Sequence, residues 1–126
     1  MIAYLDTNIM VWLATGKLRK LSKEAERVIK QADLLVSPMV LLELEYLFDL
    51  GRTTLRSRDL QMKVEREAGV QVCELSFKSI AATAITEGWT TDPFDRIIVA
   101  HAKANGFAFL ISADEEFARH YPRTVW

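Results

Sequence analysis

The chain has a single cysteine, Cys73, so no disulfide can form within it. With 126 residues it does not need one, because a chain of this length buries roughly two-thirds of its unfolded surface. Proline and glycine together number only eight, and half the residues are hydrophobic, which excludes collagen-like, low-complexity and disordered classes. No uncharged apolar run approaches the ~18 residues of a membrane span. The apolar start is interrupted by Asp6 with no basic residue before it, unlike a secretory leader. A lone thiol and no leader together predict a reducing, cytoplasmic setting. With no linker and no internal repeat, residues 1–126 read as one domain. There are only two histidines, His101 and His120, and they stand apart, so there is no Cys/His cluster of the kind that holds zinc.

Charge of one sign is also missing, since the formal net charge is −1. Its distribution is uneven. Residues 17–30 carry a local +4 and residues 52–66 a local +3, which leaves −8 on the rest of the chain. Basic segments beside an acidic remainder suit a protein that grips phosphate on one surface and a metal on another. They equally suit solvated helix faces, and charge alone favours the latter.

Apolar Ile2–Leu5, Leu34–Val36, Val70–Leu75 and Phe107–Ile111 read as strands, with Thr124–Trp126 as an edge strand. Helices are expected over Ile9–Ala14, Leu21–Ala32 with Ser22 as a cap, Pro38 to about Leu50, Ser57–Ala68, Lys78–Thr86, Pro93–Asn105 and Asp114–Arg119. Ser37-Pro38 and Asp92-Pro93 are starts with proline at the first helical position, and Gly51, Gly69 and Gly106 are stops. Strands alternating with helices predict an α/β fold, a three-layer α/β/α sandwich around a mostly parallel sheet.

In such sheets the working site lies beyond the carboxyl ends of the strands. Asp6 follows the first strand and Asp114 follows Phe107–Ile111, while Asp92 and Asp95 open the helix between them. Glu43 lies amid Met39, Val40, Tyr46, Leu47 and Leu50 on a helical wheel, with no basic residue in its helix. A carboxylate in an apolar arc needs a cationic partner, which a hard divalent ion or a distant arginine would supply. Each acid also has a purely structural reading. Asp6, Asp92 and Asp114 suit N-caps, Asp95 a favourable first-turn charge, and Thr7 and Asn8 caps or supports for Asp6. Convergence of four acids on one sheet edge argues for more. Oxygen-only donors select Mg²⁺ or Mn²⁺, and carboxylates around such ions suit phosphodiester hydrolysis.

In order, Tyr4-Leu5-Asp6-Thr7-Asn8, Ser37-Pro38 with Leu42-Glu43-Leu44, Asp92-Pro93-Phe94-Asp95-Arg96-Ile97-Ile98-Val99-Ala100 and Leu110-Ile111-Ser112-Ala113-Asp114 resemble the PIN-domain ribonucleases. Within that family they resemble the VapC-type toxins of prokaryotic toxin–antitoxin pairs. The resemblance implies a PIN-like fold with Asp6, Glu43, Asp95 and Asp114 as a metal-binding catalytic cluster. It implies that Asp92 supports the ligands from outside and that Ser112 orients a ligand or a water. It further implies a Mg²⁺- or Mn²⁺-dependent endoribonuclease acting on tRNA or rRNA, a homodimer, and inhibition by a cognate antitoxin protein. The alternative is a catalytically silent PIN-like module that binds RNA or protein. A haloacid-dehalogenase-type site would need an acid where Asn8 stands, and a phosphoacceptor receiver a lysine after Phe107–Ile111. Both are absent.

Trp89 precedes Asp92 in a loop, where it stacks on a base or, by default, packs the loop onto the core. Arg96 faces phosphate or the polar side of its helix, and His101 is expected on a helix face. Trp12, Leu13, Leu47 and Phe48 are expected to pack in the core or to offer a partner surface.

Overall fold

The computed structural model describes residues 1–126. The chain runs β1 (Ile2–Leu5), α1 (Thr7–Ala14), a 3₁₀ turn (Leu18–Lys20), α2 (Lys23–Gln31), β2 (Asp33–Val36), α3 (Pro38–Asp49) and α4 (Ser57–Ala68). It continues through β3 (Gln71–Val72), α5 (Phe77–Ala84), α6 (Pro93–Ala104), β4 (Phe109–Ile111), α7 (Glu115–His120) and β5 (Thr124–Val125). No helix is long and apolar enough to cross a membrane.

The five strands form one sheet in the order β3-β2-β1-β4-β5, and every pairing is parallel. Central strands flanked on both faces must be apolar throughout. Ala3, Tyr4 and Leu5 of β1, and Leu110 and Ile111 of β4, are accordingly wholly buried. From β1 the chain steps outward to β2 and β3, then crosses back to β4 on the other side of β1. Right-handed crossovers therefore carry α1–α4 over one face and α5–α7 over the other. Within each face α1 packs with α3 and α4, and α5 with α6, while α3 also meets α6 through Tyr46 stacked on Phe94. The reversal makes the carboxyl ends of β1 and β4 the switch point at which open α/β sheets bind their ligands.

Helix ends depart from the sequence reading by a residue or two, each for a local reason. The helix expected from Ile9 begins at Thr7, because Asp6 is its cap. Ser22, Ser37 and Ser76 cap α2, α3 and α5 through their hydroxyls. The strand expected over Val70–Leu75 shortens to Gln71–Val72. Its partner β2 ends at Val36, where Ser37-Pro38 opens α3, so the ladder has nothing to extend along. The strand expected over Phe107–Ile111 begins at Phe109. Gly106 and Phe107 both take positive φ, 67° and 54°, to turn the chain out of α6, which leaves Phe107 exposed. Such a φ is uncommon for a residue with a Cβ. Here the turn is fastened by Phe107 N–H donating to Lys103 and Ala108 N–H donating to Ala102.

Candidate active site at the β1 and β4 ends

Asp6 is the first residue past β1 and lies 9% exposed. Its backbone N–H continues the ladder by donating to the Ile111 carbonyl at 3.0 Å, which fixes the carboxylate beside the end of β4. One carboxylate oxygen accepts from the Thr7 N–H at 2.7 Å and the other from the Ser112 hydroxyl at 2.6 Å. Burial raises its pKa; those two hydrogen bonds oppose the rise, and the charges of Asp114 and Asp92 add to it. Ser112 is itself buried, and its oxygen accepts from the Asp114 N–H at 3.0 Å. One hydroxyl thus ties the two strand ends together.

Glu43 reaches the same place from α3. Thr7, also buried, donates its hydroxyl to Glu43 while its backbone serves Asp6. The Glu43 pKa is raised by burial first and then by the charges of Asp6 and Asp92, with the Thr7 hydrogen bond opposing. No arginine crosses the core to it, and none of the salt bridges involves Asp6, Glu43, Asp92, Asp95 or Asp114.

Asp92 and Asp114 are exposed and act as N-caps. Asp92 accepts from the Phe94 and Asp95 N–H groups at 2.8 and 3.4 Å, and Asp114 from Glu116 N–H at 2.9 Å. Asp95, on the first turn of α6, has no hydrogen-bond partner for its carboxylate. Burial first, and then the charges of Asp92, Asp6, Asp114 and Glu43, lift its pKa to about 7. Three helix N-termini, of α1, α6 and α7, meet these acids with their positive dipole ends.

The fold therefore brings Asp6, Glu43, Asp95 and Asp114 to one edge, with Asp92, Thr7 and Ser112 beside them. Asn8 is exposed and makes no side-chain hydrogen bond, so Asp6 is held by Thr7 and Ser112 without it. An all-oxygen donor set with several negative charges and no lysine or arginine paired to it matches a hard cation in chemistry and in charge. It is not closed: no three acidic, histidine or cysteine side chains gather tightly enough to hold one ion as they stand. Of the four, only Asp95 has a carboxylate that makes no hydrogen bond.

Other side chains named from the sequence are engaged within the fold. Arg96 donates its Nε to the Thr90 carbonyl at 2.7 Å and so pins the loop before α6. His101 is buried against Tyr4, with Nδ1 on the Ile97 carbonyl and a pKa lowered by burial. Trp12 and Leu13 pack on the core, and Phe48 lies under Arg56. The sequence reading missed Glu87, 2% exposed, which pairs with Lys103 at 2.5 Å and accepts from Trp89 Nε1 at 2.7 Å. It also missed Thr90, Thr91 and Glu116, which line a cavity of about 380 Å³ with Gly88, Trp89, Asp95 and Asp114. Only an acid next but one to a tryptophan signalled Glu87 in the sequence.

An all-parallel sheet with acids converging at its switch point is the arrangement that the ordered motifs anticipate. The PIN domain family model matches residues 3–121, and the chain belongs to that family. Its fold is similar to that of a toxin–antitoxin complex from Klebsiella pneumoniae, with 18% identity, a TM-score of 0.62, and 98% of this chain and 96% of that one covered. It is also similar to DNA-bound VapBC from Salmonella typhimurium (18%, 0.61, 98% and 95%). A third likeness is to VapBC2 from Rickettsia felis bound to a promoter DNA fragment (22%, 0.59, 98% and 96%). Comparison with curated protein sequences gives no match.

Proposed function

We propose that the chain is a divalent-metal-dependent endoribonuclease and the toxin half of a toxin–antitoxin pair. The single observation that carries the enzymatic part is the convergence of Asp6, Glu43, Asp95 and Asp114 on the switch point with no paired cation among them. The charges gathered there help to raise the pKa of Asp6, Glu43 and Asp95, a cost that a bound cation would repay.

Asp6, Glu43, Asp95 and Asp114 would hold Mg²⁺ or Mn²⁺. When bound, the ion supplies an activated water and charge stabilisation at the attacked phosphate. The protein's own contribution is orientation. Thr7 fixes Asp6 and Glu43 together, Ser112 fixes Asp6 against the Asp114 backbone, and Asp92 sets the first turn that carries Asp95. Lys17 and Arg52, one from each basic segment, line a single cavity of about 110 Å³ with Thr15, Thr53 and Thr54. That junction suits an RNA backbone phosphate. The remaining basic residues of 17–30 are in part spent on ion pairs within α2, Arg27 with Glu24 and Lys30 with Glu26.

The toxin reading rests on the family and on the likeness to toxin–antitoxin structures, which implies a cognate antitoxin partner in the cytoplasm. A homodimer is supported by Leu42 and Tyr46 on one stripe of α3 and Leu50 just past its end, all about half exposed at i, i+4 and i+8.

Purified protein free of antitoxin tests the proposal on a mixed tRNA and rRNA pool with Mg²⁺ or Mn²⁺, with EDTA, and as the Asp95→Asn variant. Cleavage lost both in EDTA and in the variant is the expected result. Folded wild-type protein that cleaves with neither Mg²⁺ nor Mn²⁺ is instead the silent module.

A further inference from the structure

The acidic edge is flanked by surfaces of opposite charge. Towards α6 and α7, Asp92, Glu115 and Glu116 carry the negative charge onward, and the cavity lined by Asp95, Asp114 and Glu116 has no lysine or arginine in its wall. Arg119 on that side is taken by Glu116 at 2.5 Å, and the Trp89 ring is already stacked on His120 at 4.8 Å. A polyanion is repelled there. Towards α1 the sign reverses. Residues 7–23 contain no aspartate or glutamate and hold Lys17, Arg19, Lys20 and Lys23. All four are exposed, and none enters a salt bridge, unlike Arg27 and Lys30 of α2.

Aromatic side chains lead from the acids to these bases. Trp126 directly follows Val125, whose carbonyl takes the Ser112 N–H at 3.2 Å, so it stands beside the joint that holds Asp6 and Asp114. It is 43% exposed. Its aromatic neighbour is Trp12, with centroids 5.8 Å apart and planes tilted by 47°, so no ring lies parallel on either of its faces. Trp12 is half-buried on α1, and Lys20 Nζ lies 5.5 Å from the centre of its ring. Asn8 is exposed two residues after Asp6 and one turn before Trp12, on the same side of α1. From Asp6 to Trp12 is only about 9 Å along the helix. Beyond Lys20, Lys17 shares its cavity with Arg52. One strip therefore starts at the acids and runs through Asn8, Trp12 with Trp126, Lys20 and Lys17. Unpaired cations beside an open indole are what a single-stranded nucleic acid takes, cations for its phosphates and a ring for a base.

We propose that this strip holds the single-stranded RNA that flanks the cleaved phosphate, with a base on Trp126 and backbone phosphates on Lys20 and Lys17. The inference rests on the nuclease reading and deepens it. Two observations choose this occupant: the strip is continuous with the acidic edge, and its charge is opposite to that of a polyanion. It assigns no preference among bases, since every base has a face to stack.

The test is anisotropy of a labelled, non-cleavable 2′-O-methyl oligoribonucleotide of mixed sequence. The proteins are wild type, Trp126→Ala, Trp126→Phe, Lys20→Gln and, on α5, Lys78→Gln, with melting curves to report folding. Affinity should fall by about 5- to 150-fold in Trp126→Ala, with most of it kept in Trp126→Phe. Lys20→Gln should lower the slope of log affinity against log salt by about 0.7, the share of one single-strand phosphate contact, and Lys78→Gln should leave it unchanged. Folded Trp126→Ala and Lys20→Gln that both bind as wild type does overturn the strip, and metal-dependent cleavage of the RNA pool by the same proteins then leaves the nuclease reading standing. Binding that depends on the strip, without cleavage under Mg²⁺ or Mn²⁺, keeps the strip and overturns the nuclease. A peptide of alternating leucine and glutamate whose binding needs Trp126 and Lys20, while RNA affinity does not, overturns the strip in favour of a protein partner.

Discussion

The Ser112 hydroxyl donates to the Asp6 carboxylate at 2.6 Å across 106 positions of sequence. Its oxygen also accepts the Asp114 N–H, so it is the joint between β1 and β4 on which the acidic edge is built. Ser112→Ala leaves a 9%-exposed carboxylate with one donor fewer and an N–H without its acceptor. The expected loss is about 1–3 kcal/mol of unfolding free energy, read by urea denaturation. Ser112→Thr keeps the hydroxyl and should lose less.

Thr7→Val removes the hydroxyl that holds Glu43 and leaves the backbone N–H that holds Asp6. Groups that orient metal ligands from outside typically account for about 10–100-fold in affinity or activity. Mn²⁺ affinity and RNA cleavage should both fall within that range, with the fold retained by circular dichroism. Unchanged affinity would mean that the Thr7 hydroxyl does not orient a metal ligand.

Asp95 gives the apo protein a pH signature with a definite sign. Its pKa in the folded protein, about 7, stands above the ordinary 3.8, so across that window the folded state holds a proton that the unfolded chain has released. Its contribution to stability is therefore lost as pH rises through the window. Wild type in EDTA should lose melting temperature relative to Asp95→Asn between about pH 5 and pH 8. His101 works in the opposite direction, since burial lowers its pKa, but it is common to both proteins and cancels in the difference. If Asp95 holds the ion, saturating Mn²⁺ should reverse the slope, because a carboxylate binds metal in its ionised form.

Lys103→Met strands Glu87, 2% exposed, without its cation. Breaking a buried pair on one side costs about 3 kcal/mol at the low end, and Lys103 is partly solvated, so that end applies. Pairing Lys103→Met with Glu87→Gln should recover part of the loss, by thermal denaturation, because no charge is then left buried.

Much of this edge was legible in the sequence, because its signals are local. Asp92-Pro93 and Ser37-Pro38 fixed two helix starts, and Asp6 and Asp114 each followed a short apolar strand. Glu43 stood out as a charge amid apolar neighbours. The same locality misled at Phe107, whose apolar character reads as strand while its backbone makes a left-handed turn, and at Val70–Leu75, whose length was set by where β2 stops. Asn8 looked like a support for Asp6, but the helix begins at Thr7 and turns Asn8 to solvent. Partners that meet only through the fold gave no sequence signal. The Thr7–Glu43, Ser112–Asp6, Glu87–Lys103 and Trp89–His120 contacts join residues from different elements or across a loop, and periodicity reports none of them.

The central claim is that the four converging acids bind one kind of hard cation. It is tested most directly by titrating Mn²⁺ into the apo protein under electron paramagnetic resonance, beside the Asp6→Asn and Asp95→Asn variants at matched pH. Saturable binding in wild type, weakened by at least about tenfold in both folded variants, is the expected result. Wild-type protein that binds no Mn²⁺, or variants that bind it as tightly as wild type, would contradict the claim and leave the acids as caps at the end of a parallel sheet.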